Sequence, residues 1–267
     1  DTAKVAIENI AELVAGLGWN TGVVASSTIS HATPASFYAH VDNRGKEAEI
    51  AAQLLDSEID FFAGGGNVHF SKRMDGLDLY SIASEKGFIL DSTALAQPGS
   101  LSADQKYGFL LAQGGMPPMT EGRGDFLPDA TTLAMEYLSQ GAKGFFLMVE
   151  GSQIDWGGHA NNNEYVITET LDFEKAVATA LDFAEADGNT LVVVTADHET
   201  GGFTLGALKD EATGYGNYAK IGPSFATGTH SATLIPVFAY GPGAEQFKGL
   251  YDNTEIFTKM AALVKGN

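Results

Sequence analysis

The sequence contains no cysteine, which excludes disulfides, thiolate metal ligands and a cysteine nucleophile. Any bound metal therefore falls to His, Asp, Glu or hydroxyl oxygens. Basic residues are scarce: 15 Lys and Arg stand against 34 Asp and Glu, a formal net charge of -19. That balance argues against a nucleic-acid-binding module, which needs basic surface to displace counterions from phosphates. The acidic residues are dispersed, not gathered in a tail, and read as solvated surface of an acidic protein. No apolar run approaches the roughly 20 residues of a membrane-spanning helix. The opening Asp-Thr-Ala-Lys is no secretion signal and lacks Met. It leads into Val5, Ile7, Ile10, Leu13, Val14 and Leu17, a spacing that predicts an amphipathic helix already under way and hence a processed or truncated product.

What is present is enough apolar material for one substantial core: 267 residues, 44% of them hydrophobic, which predicts a single domain over 1–267. Short apolar runs alternate with longer helical patterns. That alternation predicts an α/β fold, a largely parallel central sheet with helices on both faces. The predicted strands lie at 22–25, 61–63, 145–149, 191–195 and 235–240, the last weakened by Pro236, which cannot donate to a central ladder. Predicted helices span 46–55, 129–138, a long stretch within 165–186, and 255–264, each with apolar residues at three-four spacing. The stretch 98–128 is rich in Gly, Pro and Met without clean periodicity and predicts an irregular excursion from the sheet.

Ligands of an open parallel sheet bind beyond the carboxyl ends of its strands. Two predicted strands run into segments carrying carboxylate and imidazole together: Glu150-Gly151-Ser152-Gln153-Ile154-Asp155-Trp156-Gly157-Gly158-His159, and Thr195-Ala196-Asp197-His198-Glu199-Thr200-Gly201-Gly202. Asp155 and His159 stand four apart, which on a helix places both on one face, suited to gripping one ion. The pair also reads as an ordinary surface pair, and the adjacent glycines leave the helix open. Asp197 and His198 read as ligands or as a loop with a capping histidine. His230 gains meaning only as a third ligand. Of the six histidines, His40 and His69 have no comparable setting and read as packing or surface residues. Nitrogen and carboxylate ligands suit a catalytic zinc with an open position, whereas Glu150 with a hydroxyl and water suits the harder magnesium.

At these residues the chain resembles the alkaline phosphatases, metal-dependent phosphomonoesterases. The likeness is carried by Val-Glu-Gly-Ser-Gln-Ile-Asp-Trp-Gly-Gly-His-Ala, Thr-Ala-Asp-His-Glu-Thr-Gly-Gly and His-Ala-Thr-Pro-Ala-Ser-Phe-Tyr-Ala-His-Val, and it extends to the C-terminal Gly-Leu-Tyr-Asp-Asn-Thr-Glu-Ile-Phe. The resemblance implies that Asp155, His159 and His230 hold one zinc, that Asp197 and His198 belong to a second zinc site, and that Glu150 and Thr33 hold magnesium: two Zn2+ and one Mg2+. It implies that Arg44 clamps the substrate phosphate through its planar guanidinium; otherwise Arg44 reads as a surface charge. His31 stands at the magnesium shell or as a structural histidine, and Trp156 lines the phosphate pocket or packs beside it.

The family's upstream Gly-Asp-Gly-Met-Gly strand end and its Thr-Asp-Ser-Ala nucleophile segment do not occur in this sequence. The expectation is therefore a three-layer sandwich lacking its N-terminal strand, with incomplete second and third metal sites and no turnover by this chain alone. The implied reaction is hydrolysis of phosphate monoesters to inorganic phosphate through a phosphoserine intermediate, the serine lying outside this chain. Implied partners are the missing N-terminal segment of the same protein and a second copy in a homodimer, and the implied location is periplasmic or extracellular. A related metal-dependent phosphodiesterase or sulfatase, and a non-catalytic metal-binding fragment, are the alternatives.

Overall fold

A computed structural model describes residues 5–266; the opening Asp-Thr-Ala-Lys, read above as no secretion signal, lies outside the described residues. Helix α1 (Ile10–Gly16) starts later than the periodicity from Val5 predicts. The Asn9 side chain accepts from Glu12 N at 3.0 Å while Glu12 Oε2 accepts from Asn9 N at 2.9 Å. This reciprocal capping box fixes the helix start, and Val5 and Ile7 remain exposed ahead of it.

Strand β1 (Asn20–Thr28) is followed by the short α2 (Ala32–Ala35), α3 (Glu47–Asp56), β2 (Phe61–Gly65), α4 (Val68–Ser71) and α5 (Leu79–Glu85). Next come β3 (Phe88–Asp91), β4 (Lys106–Ala112), α6 (Phe126–Leu138), β5 (Phe145–Glu150), α7 (Gln153–His159) and the long α8 (Asn163–Asp187). The remainder holds β6 (Val192–Val194), β7 (Glu199–Thr200), β8 (Thr204–Lys209), β9 (Gly216–Ser224), β10 (His230–Ser231), β11 (Phe238–Tyr240) and α9 (Glu255–Val264).

Five strands form one parallel sheet in the order β3-β4-β2-β1-β5. Alternate side chains of a strand face opposite sides, and the cores divide accordingly. Val23, Ala25 and Phe62 pack with Ile50 and Leu54 of α3 and Ala83 of α5. Val24, Phe61, Ala63 and Phe109 pack with Leu127 and Leu138 of α6 and Ala176 of α8. The result is the expected α/β arrangement of a parallel sheet between helical layers.

One expectation is corrected. The stretch 98–128 does not simply leave the sheet, because β4 runs through it and pairs with β2 and β3. Gly108 hides the strand in the sequence by interrupting its apolar run. It is glycine because a Cβ there would meet the Phe62 ring at 2.2 Å. The predicted strands at 191–195 and 235–240 form a separate antiparallel pair, β6 with β11, and Pro236 lies outside it.

Strand β5 has a distinctive exposure. Phe145, Leu147 and Val149 pack into one core and Phe146 and Met148 into others, yet none of its residues is buried. β1 pairs with one edge, and no strand pairs with the other among the described residues. No described helix is long and apolar enough to cross a membrane.

The segment after β4 is fastened to α8 by ions. Arg123 Nη2 meets Glu169 Oε2 at 2.5 Å and Asp172 Oδ2 at 2.7 Å, with all three side chains 0% exposed. Arg123 Nη1 also donates to Pro117 O at 3.1 Å, and Glu169 Oε1 accepts from Met119 N at 2.8 Å. Removing the cation from a buried group leaves carboxylates uncompensated. Arg123→Met is expected to cost about 3–5 kcal/mol of unfolding free energy, measured by urea titration. Replacing Arg123, Glu169 and Asp172 together with apolar residues of similar size should recover most of that loss.

Candidate metal centre

The carboxyl ends of β1, β5 and β6 lead into most of the residues singled out in the sequence, and β10 carries His230. β1 ends at Thr28 and turns through His31 and Thr33, β5 ends at Glu150, and β6 precedes Asp197 and His198. α7 is helical despite its paired glycines, so Asp155 and His159 share a face. Gly158 has a reason to be glycine: a Cβ there would meet Thr200 O at 2.7 Å, and this close approach seats α7 against β7. The β7–β10 register, His230 opposite Thr200 and Ser231 opposite Glu199, then swings His230 toward α7.

Asp155, His159 and His230 present ligand atoms that all lie within 4.8 Å of one another. His159 Nε2 stands 3.3 Å from His230 Nε2 and 3.4 Å from Asp155 Oδ1, and His230 Nε2 stands 4.0 Å from the same oxygen. Ligands about 2.0–2.1 Å from a tetrahedral ion are separated from one another by about 3.3–3.4 Å; two of the trio's separations match that spacing and the third, at 4.0 Å, is wider. His159 Nδ1 lies 2.9 Å from Gly228 O. Donation to that carbonyl turns Nε2 toward the cluster.

A second carboxylate and imidazole adjoin this trio. His198 Nε2 is 3.2 Å from Asp197 Oδ2, and the His198 ring stacks on His230 with centroids 3.6 Å apart. Thr200 links the two groups: its Oγ1 donates to Asp155 Oδ1 at 2.6 Å and lies 3.2 Å from His198 Nδ1. Sequence reasoning passed over this threonine although it stands in the Asp197 segment. Only the β7 geometry shows what it touches.

Glu150 forms the third part. Ser152 Oγ donates to Glu150 Oε2 and accepts from Ser27 N at 3.1 Å. Burial pushes the Glu150 carboxyl above its ordinary range, opposed by hydrogen bonds from Ser152 and Thr33 and by the nearby His31, and reinforced by Asp197. The same interactions put Glu150, Thr33, His31 and Asp197 within electrostatic reach of one another. Gln153, fully buried, locks the start of α7 to the end of β1 by donating to Ser26 O at 2.9 Å and Met116 O at 2.6 Å. Arg44 lies exposed, its Nη2 3.2 Å from His31 Nε2. The His31 and Trp156 rings meet edge to face at 6.0 Å. His40 and His69 stay outside the centre, pairing with Glu12 at 2.7 Å and Glu47 at 3.1 Å.

A family model for alkaline phosphatase matches residues 1–219 and 208–265. This chain belongs to the alkaline phosphatase family. Alkaline phosphatase 4 of Bacillus subtilis is 30% identical, the match covering 93% of this chain and 68% of that one. Alkaline phosphatase of Escherichia coli is 32% identical over 95% of this chain and 66% of its own length. The chain thus spans about two thirds of the length of these relatives. The solved alkaline phosphatase from the Antarctic bacterium TAB5 matches with a TM-score of 0.95 at 54% identity, covering 98% of this chain and 77% of that chain. A variant of that enzyme was solved with Mg bound in its M3 site.

Thr200 supplies a test of the alkaline-phosphatase-like centre that leaves the candidate ligands in place. Thr200→Val is expected to weaken zinc binding about 10- to 100-fold, the usual effect of losing a group that orients a ligand. Asp155→Ala should remove tight binding altogether. Competition with a chromophoric chelator measures both.

Proposed function

We propose that this chain carries the metal-binding part of an alkaline phosphatase that hydrolyses phosphate monoesters through a phosphoserine intermediate. The observation that carries the reading is the Asp155, His159 and His230 trio, its ligand atoms within 4.8 Å of one another at the carboxyl rim of the sheet. Two imidazoles and a carboxylate without sulfur suit zinc with an open position, Asp197 and His198 supply the same chemistry beside it, and the oxygens of Glu150 and Thr33 suit magnesium. When bound, such ions lower the charge barrier at phosphorus and at the attacking and leaving oxygens.

The chain's own residues do the rest of the positioning. Arg44 stands beside His31, where its guanidinium can take two phosphate oxygens in parallel hydrogen bonds. His31 holds the Arg44 Nη2 on the side of the turn bearing Thr33. Trp156, edge-on to His31, is assigned to the side of the phosphate site. Gln153, Tyr165 and Ser152 hold α7 and Glu150 to the end of β1.

The nucleophilic serine is assigned to a segment other than residues 1–267, with a strand that pairs along the free edge of β5. Support comes from β5 itself, covered on both faces yet half-exposed along its length. A parallel edge with unpaired backbone groups is a template for one more strand. That strand would end at the same rim, beside Glu150 and Asp197. Export from the cytoplasm and assembly as a homodimer belong to the same reading.

Elemental analysis and p-nitrophenyl phosphate hydrolysis, on the chain with and without a serine-bearing family segment, test this proposal. The expected result is one tightly held zinc and no turnover alone, then monoester hydrolysis well above diester and sulfate hydrolysis once the segment is supplied. Turnover by the chain alone would overturn the external serine, and a chain that holds no metal would overturn the centre. Arg44→Ala in the active form is expected to raise the inhibition constant of inorganic phosphate about 10-fold or more, the loss of a charge-assisted pair.

A further inference from the structure

One carboxylate outside the metal centre sits where three segments of the functional rim converge. Glu47 opens α3, three residues after Arg44. Its Oε2 accepts from Thr28 Oγ1 at 2.7 Å and Ser30 Oγ at 2.8 Å, and lies 3.1 Å from His69 Nε2. Thr28 ends β1, Ser30 belongs to the turn that leads into His31 and Thr33, and His69 lies in α4 beyond the end of β2. A single half-buried oxygen therefore ties α3 to two strand ends.

The junction is braced from behind. Arg73 Nη1 donates to Ala48 O at 2.6 Å and to His69 O at 2.9 Å, and its side chain is only 3% exposed. Hydrogen bonding from His69, with further bonds from Thr28 and Ser30, holds the Glu47 carboxyl down at about 2 despite its partial burial. Three donors around one anion satisfy it far better than a surface ion pair would.

The Arg44 segment is fastened at both ends and exposed between them. On one side His40 N donates to Gln53 Oε1 at 2.8 Å, and on the other Glu47 anchors the start of α3. Between them the chain closes on itself, with Lys46 paired to Asp42 at 2.7 Å and Gly45 N donating to Asn43 Oδ1 at 2.8 Å. The backbone from which the Arg44 side chain departs can shift only as far as these anchors allow.

We propose that Glu47 is a positioning residue for phosphate capture: it fixes the Arg44 segment against the β1 turn bearing His31 and Thr33, setting the distance from the guanidinium to the metal centre. This rests on the clamp role proposed above for Arg44. Displacement of a binding group by a fraction of an ångström to an ångström is costly because the clamp acts through fixed geometry.

The test is a double-mutant cycle in the active holoenzyme, reading KM, kcat, inhibition by inorganic phosphate, zinc content and melting temperature. Glu47→Ala is expected to raise KM and the phosphate inhibition constant about tenfold with zinc content unchanged, and Glu47→Gln, which keeps an acceptor, to recover most of that. In an Arg44→Ala background Glu47→Ala should add less than about twofold, because partners in one unit are not additive. A full-sized effect in that background, or loss of zinc in Glu47→Ala, would make Glu47 a scaffold residue and overturn the proposal. Phosphate inhibition unchanged in Arg44→Ala would bring down the clamp assignment itself, a distinct failure visible before the cycle is completed.

Discussion

Two imidazole nitrogens stand 3.3 Å apart, with a carboxylate oxygen 3.4 Å from one of them. In the proposed centre a cation would draw all three donors together, and much of the rim holds them in this arrangement. His159 is oriented by Gly228 O, Asp155 by Thr200, and His230 by the β7–β10 pairing. Each candidate ligand thus has a partner that sets its direction, which is how proteins prepare donors that would otherwise rotate away. The same constraint accounts for the polar residues buried at the end of β1. Ser27 is fully shielded, as is Gln153 of α7 that bonds the Ser26 carbonyl, and through Ser152 Oγ and Ser26 O they hold the backbone from which Glu150 and α7 depart.

The sheet supplies the rigidity behind this rim. β1 is hydrogen-bonded on both sides and buried along most of its length, so the turn that follows it departs from a fixed point. The Arg123 cluster does the equivalent work on the other side by pinning the segment from Pro117 to Arg123 onto α8. Gln153 reaches the same segment at Met116 O. The candidate ligands sit at element ends and in the turns beside them, and the strands and buried ions decide where those ends can go.

Much of the architecture is legible in the sequence, and the exceptions have physical causes. Continuous apolar runs at 61–63 and 145–149 read as strands because both faces are covered. The helix at 255–264 reads correctly because its apolar residues keep one period to the end. β4 is hidden by Gly108, a residue demanded by the Phe62 ring and invisible to periodicity. The start of α1 is decided by a side-chain box at Asn9 and Glu12, which overrides the apolar spacing from Val5. In the centre, Asp155 and His159 are readable from their spacing. Thr200 and Glu47 are not, since their partners lie 45 and 17–22 positions away in sequence. His69 reads as an ordinary histidine for the same reason.

The sequence separations within the centre divide its contacts into local and long-range ones. Only Asp155 and His159 are brought together by a single helical turn. His230 arrives across 71 positions, and the Ser27–Ser152 and Ser26–Gln153 contacts close intervals of 125 and 127. Closing such loops is slow compared with forming a helix. In the proposed centre, Asp155 and His159 by themselves would offer an ion two donors, and the third comes only with the β7–β10 ladder. The full donor set would thus be a property of the finished fold and not of any one segment.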